Sequence, residues 1–129
     1  MATASKLQIL VVDDDPSVRD CIAQLLECAG YLIASAEDGF GALLQMRNAL
    51  PDVIISDLNM PGMSGTELLA VVRRSFPQIL TVAMSGAYGD AGELPPDVIA
   101  GGYYPKGEHP EILCGTLAQL LRTTPARRA

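Results

Sequence analysis

The sequence predicts an α/β domain: a doubly wound, five-stranded parallel sheet of order 2-1-3-4-5 with a short or degraded fourth helix. Three observations carry this. Strand-like and helix-like segments alternate along the chain with short connections, which calls for a parallel sheet covered on both faces. The segment Val53-Ile54-Ile55 is unbroken apolar sequence that turns polar at Asp57 and breaks at Pro61-Gly62, as suits a strand buried on both faces. Polar residues stand at the ends of predicted strands one, three, four and five, the edge where open α/β sheets do their chemistry.

Taken in order, Leu7 to Val12 is a buried strand. Asp15 caps the helix that follows, and Pro16 takes its first position. Val18, Cys21, Ile22, Leu25, Leu26 and Ala29 recur at helical spacing until Gly30 stops them. Tyr31 to Ala36 is the second strand. The second helix runs from Gly41, carrying Leu43, Leu44 and Met46, to Leu50-Pro51. Val53 to Asp57 is the third strand. Ser64 and Glu67 form the capping box of a third helix, whose buried face is Leu68, Leu69, Val71 and Val72. Ile79 to Met84 is the fourth strand, ending at Ser85-Gly86. Gly89, Gly92 and the pair Pro95-Pro96 leave room for only one helical turn before Gly101-Gly102. Tyr103-Tyr104 is a short fifth strand, in which one side chain faces inward and the other outward. Pro110 opens a final helix with Ile112, Leu113, Thr116, Leu117, Leu120 and Leu121 toward the core. Thr123 to Ala129 reads as a tail or the stub of a linker, so residues 1–129 form a single domain with a core of about 7–122.

The whole chain narrows the function. Its 129 residues are enough for one domain with a true core, and 49% apolar against 19% charged residues argues for a folded protein. The net charge of −6 disfavours nonspecific nucleic-acid binding. No apolar run approaches the ~20 residues of a membrane span, and no signal peptide is visible. Cys21, Cys28 and Cys114 lack metal-type spacing and read as reduced packing residues of a cytoplasmic protein. His109, the only histidine, marks a helix boundary and rules out a histidine-rich metal site.

The strand ends bring together Asp13 and Asp14 (strand one), Asp57 (three), Ser85 (four) and Lys106 (five). Strands one and three are neighbours at the topological switch point, so three carboxylates, a hydroxyl and an ammonium share one crevice. Two carboxylates about 4 Å apart repel by about 4 kcal/mol at an effective dielectric of ~20. Three therefore need cations beyond one lysine. Mg²⁺ suits such a set because it takes one or two carboxylates and bridges to phosphate oxygens. Asp57 is then a candidate nucleophile for a phosphoryl group, with Lys106 and Ser85 assisting.

Asp13-Asp14, Asp57 within Asp-Leu-Asn-Met-Pro-Gly-Met-Ser-Gly, Ser85-Gly86 and Lys106 resemble the receiver domain of two-component response regulators, over about Leu7 to Arg122. The resemblance implies a flavodoxin-like fold with Asp57 as phosphoacceptor. It implies Mg²⁺ held by Asp14, Asp57 and the Asn59 backbone carbonyl, with Asp13 acting through water. Ser85 would be the switch hydroxyl and Tyr103 the switch aromatic. The donor would be a histidine kinase or histidine phosphotransfer protein. Such a domain assists its own phosphorylation and dephosphorylation but is not a turnover enzyme, and it does not itself bind nucleic acid or membrane.

Two departures qualify this. The family usually has Lys-Pro, whereas Pro105-Lys106-Gly107 places the proline before the lysine, which predicts a different seat for Lys106. The degraded fourth helix alters the face by which such domains signal. That motivates an alternative: a pseudo-receiver acting as a phosphorylation-independent interaction module. A phosphatase using an aspartyl-phosphate is disfavoured because Asp57 is followed by Leu58-Asn59, not by the Asp-x-Asp pattern. A flavodoxin is disfavoured because aspartates replace its phosphate loop.

Overall fold

In the computed structural model, residues 7–86 and 100–122 are described. They form strands β1 (Gln8–Val12), β2 (Leu32–Ala36), β3 (Val53–Asp57), β4 (Leu80–Ser85) and β5 (Gly102–Pro105), with helices α1 (Pro16–Cys28), α2 (Gly39–Asn48), α3 (Gly65–Ser75) and α4 (Pro110–Arg122). The sheet is parallel throughout, in the order β2-β1-β3-β4-β5, as the sequence predicts.

Alternation along the central strands builds two cores. Leu10, Val12, Ile54 and Ala83 pack on one face with Ala42, Met46, Leu68, Leu69 and Val72 of α2 and α3. Ile9, Val11, Val53, Ile55 and Val82 pack on the other with Ile22, Leu26, Leu113 and Leu117 of α1 and α4. Both faces of β3 are therefore apolar, which is why its sequence reads as a continuous run. Full burial of each such Ile or Leu contributes about 1.5–3 kcal/mol.

Local signals set the helix starts. The Asp15 side chain accepts from the Ser17 amide before Pro16. Ser64 and Glu67 make the reciprocal capping box of α3. The helix α1 stops at Gly30, whose φ of +102° is a left-handed conformation that costs glycine little.

Several expectations need correction. The helix α2 begins at Gly39, not Gly41, because the Asp38 side chain caps it by accepting from the Gly41 amide. Leu44 and Ile112 lie on outer helix faces and are exposed, while Ala42, Met46, Leu113 and Leu117 face the cores. Cys21 and Cys28 are exposed and so are not packing residues, whereas Cys114 is half-buried and packs against the core under α1 and α4. The short fourth helix expected near Pro95-Pro96 lies outside the described residues, as does the tail from Thr123. Among the described residues, no helix is long and apolar enough to cross a membrane.

Candidate functional site

Sheet register assembles the site. Val12 pairs with Ser56, Asp57 with Met84, and Ser85 with Pro105. Asp13, Asp57, Ser85 and Lys106 therefore emerge together at the C-terminal edge. Asp13 is fully buried, Asp57 is 3% exposed and Ser85 is fully buried, whereas Asp14 is exposed. Oxygens of the Asp13, Asp14 and Asp57 carboxylates lie within 4.8 Å of one another.

Lys106 reaches into this cluster. Its Nζ is 2.9 Å from Asp13 Oδ2 and 3.2 Å from Asp57 Oδ2. The Lys106 amide donates to the Ser85 carbonyl (3.1 Å), which continues the pairing of β5 with β4 one residue past Pro105. Asp57 Oδ1 accepts from the Asn59 amide (3.3 Å). The Asn59 side chain in turn donates to Ser85 Oγ (3.4 Å), tying the loop after β3 to the end of β4. That side-chain role is absent from the sequence reading, which used only the Asn59 carbonyl.

Behind Asp57, Ser56 Oγ donates to the Asp57 carbonyl (3.0 Å). A Cβ on Gly65 would overlap that same carbonyl oxygen and the Leu58 backbone, so the first residue of α3 packs directly on the end of β3. Of the two tyrosines, Tyr104 is the inward one, buried with its hydroxyl donating to the Glu108 carbonyl (2.7 Å). Tyr103 is half-buried on the opposite face, packed with Ala100 against the layer that α2 and α3 cover.

The charges do not balance. Burial first, and the Asp13 charge second, push the Asp57 carboxyl above its ordinary range, while Lys106 and the Asn59 amide pull it down. Burial works to lower the Lys106 pKa, but contact with Asp13 and the charges of Asp13 and Asp57 outweigh it and leave it raised. An isolated ion pair would depress its carboxylate. Here both rise: the carboxylate because it is buried and then because Asp13 lies beside it, the ammonium because two carboxylates face it. The contact of Asp13 Oδ2 is the 2.9 Å ion pair with the Lys106 ammonium. An oxygen-only donor set of three carboxylates against one ammonium fits a hard divalent cation.

Residues 9–101 match the family of response regulator receiver domains. The chain belongs to that family. It is 40% identical over 118 residues to the nitrate/nitrite response regulator protein NarP of Escherichia coli, covering 88% of this chain and 54% of that one. Over 83 residues it is 36% identical to the CAI-1 autoinducer sensor kinase/phosphatase CqsS of Vibrio cholerae, covering 64% of this chain and 12% of that one. The structure of the chemotaxis protein CheY4 of Vibrio cholerae superposes with a TM-score of 0.79 at 33% identity, covering 91% of this chain and all of the other. The chain spans about half of NarP and a small part of CqsS. As a receiver domain it is a component of two-component signalling, with the flavodoxin-like fold of that family.

Proposed function

We propose that this receiver accepts a phosphoryl group on Asp57 from a phosphohistidine of a histidine kinase or histidine phosphotransfer protein, and signals by changed contacts. The observation that carries this reading is the Asp57 carboxylate itself. It is 3% exposed at the end of the central strand β3, with an ammonium 3.2 Å away and other carboxylates pressed against it.

In the transfer, an Asp57 oxygen forms the bond to phosphorus as the P–N bond to the donor imidazole breaks. The Asn59 amide, already on Oδ1, steadies the nucleophile. The Lys106 ammonium neutralises charge on the transferred oxygens, and the Ser85 hydroxyl donates to one of them. Tyr103 takes the part of switch aromatic. Asp14, Asp57 and the Asn59 carbonyl would hold Mg²⁺, with Asp13 acting through water. Once bound, the ion would supply the positive charge that Lys106 alone does not. The chain acts as a single cytoplasmic receiver unit that assists its own phosphorylation and dephosphorylation without being a turnover enzyme.

Incubation with acetyl phosphate, with and without Mg²⁺, followed by intact mass measurement tests this. The reading requires a Mg²⁺-dependent gain of one phosphoryl mass that Asp57→Asn removes. A pseudo-receiver would show no such gain.

A further inference from the structure

Arg19 is the only basic residue of α1, and its guanidinium turns back toward the start of the helix. Nη1 donates to the backbone carbonyl of Asp13 at 2.7 Å. The ion pairs of the acidic cluster are made by Lys106; Arg19 instead holds a peptide oxygen beside it. β1 has ended at Val12, so this carbonyl has no strand register partner. The remaining polar groups of Asp13 are also engaged. Its amide donates to the Ala36 carbonyl (3.2 Å), Oδ1 accepts from the Asp15 amide (2.9 Å), and Oδ2 faces Lys106.

The Asp13 carbonyl and the Asp14 amide belong to one rigid peptide plane. Fixing that carbonyl fixes the direction in which Asp14 leaves the strand. Asp14 is exposed, yet a carboxylate oxygen of it lies among those of Asp13 and Asp57. The direction in which its backbone leaves the strand limits where that carboxylate can reach. A guanidinium suits the task because its planar fork holds a fixed donor direction and stays charged at every working pH, and a charge-assisted bond is stronger than a neutral one.

We infer that Arg19 is a positioning residue: by clamping the Asp13–Asp14 peptide it sets Asp14 in the geometry that a divalent cation needs. This rests on the reading of the acidic cluster as a cation site. Removing an outer-shell partner that orients a ligand typically costs 10–100-fold in metal affinity.

The test is Mn²⁺ binding, followed by the paramagnetic resonance of free Mn²⁺, for the wild type, Arg19→Gln and Arg19→Lys. Arg19→Gln is expected to bind Mn²⁺ about tenfold more weakly, with Arg19→Lys recovering part of the loss. The metal concentration for half-maximal phosphorylation by acetyl phosphate shifts by the same factor, while the rate at saturating metal is kept. A residue that merely supports the fold would lower the thermal midpoint and leave Mn²⁺ affinity alone, so an unchanged affinity in Arg19→Gln overturns the inference. A wild type that binds no Mn²⁺ overturns the cation-site reading and this inference together. A measurement on the wild type guards against a variant that does not fold: the metal-free protein should show a scalar coupling across the hydrogen bond from the Arg19 guanidinium to the Asp13 carbonyl carbon, and its absence overturns the clamp.

Discussion

Lys106 Nζ stands 3.2 Å from Asp57 Oδ2 although glycine, not proline, follows the lysine. The seat is made by the backbone bond from the Lys106 amide to the Ser85 carbonyl, which continues the β4–β5 ladder one residue past Pro105. Lys106→Met leaves the buried Asp13 and Asp57 carboxylates without their cation. Removing one partner of such a set costs about 1–3 kcal/mol in metal-free protein at neutral pH, measurable by urea denaturation. Phosphoryl uptake should slow as well, and Mg²⁺ should restore stability more fully than rate.

The pKa of Asp57 carries a pH signature. Burial and Asp13 raise it above about 3.8 in the folded protein, so the folded state holds that proton more tightly than the unfolded one. Stability from this group is therefore lost as pH rises from the unfolded value through the folded one, and the full penalty stands above it. Metal-free Asp57→Asn should be more stable than wild type at neutral pH, since the raised carboxyl is a penalty there. The gap should close in acid. Adding Mg²⁺ should raise the wild-type melting temperature more than that of the variant, because only the wild type has all three carboxylates. Melting curves across pH, with and without Mg²⁺, check both statements.

Gly65 permits the contact that ends β3. Any Cβ there meets the Asp57 carbonyl oxygen and the Leu58 backbone, not a yielding side chain. Gly65→Ala should destabilise the protein by about 2 kcal/mol or more and slow phosphorylation by displacing Asp57. Equilibrium denaturation and the acetyl phosphate reaction measure the two effects separately.

Ser64 offers the matching control one residue earlier. Its side chain accepts from the Glu67 amide (3.1 Å) while Glu67 accepts from the Ser64 amide (3.0 Å). Ser64→Ala should cost about 1 kcal/mol and leave phosphoryl uptake unchanged, since its capping bonds are exposed and made to Glu67, not to the carboxylates.

Features written in local sequence were legible. Asp15-Pro16 and Ser64 to Glu67 mark helix starts through bonds that span only a few residues, and the run into Asp57 marks a strand buried on both faces. The strand ends then yielded the acidic cluster by topology alone. What escaped depended on contacts between distant segments. The sequence shows that proline does not follow Lys106, but not that the Lys106 amide bonds to the Ser85 carbonyl. Leu43 and Leu44 left the inward face of α2 ambiguous until Asp38 fixed where the helix starts. An arginine on an exposed-looking helix reads as solvated, and nothing near Arg19 announces that its partner is the Asp13 carbonyl.

The central claim is that Asp57 is the residue that carries the phosphoryl group. Borohydride reduces an acyl phosphate on aspartate to homoserine, which peptide sequencing locates. After treatment with acetyl phosphate and Mg²⁺, reduction should convert Asp57, and no other aspartate, to homoserine. Conversion at Asp13 or Asp14 instead, or an unmodified chain, would contradict the account.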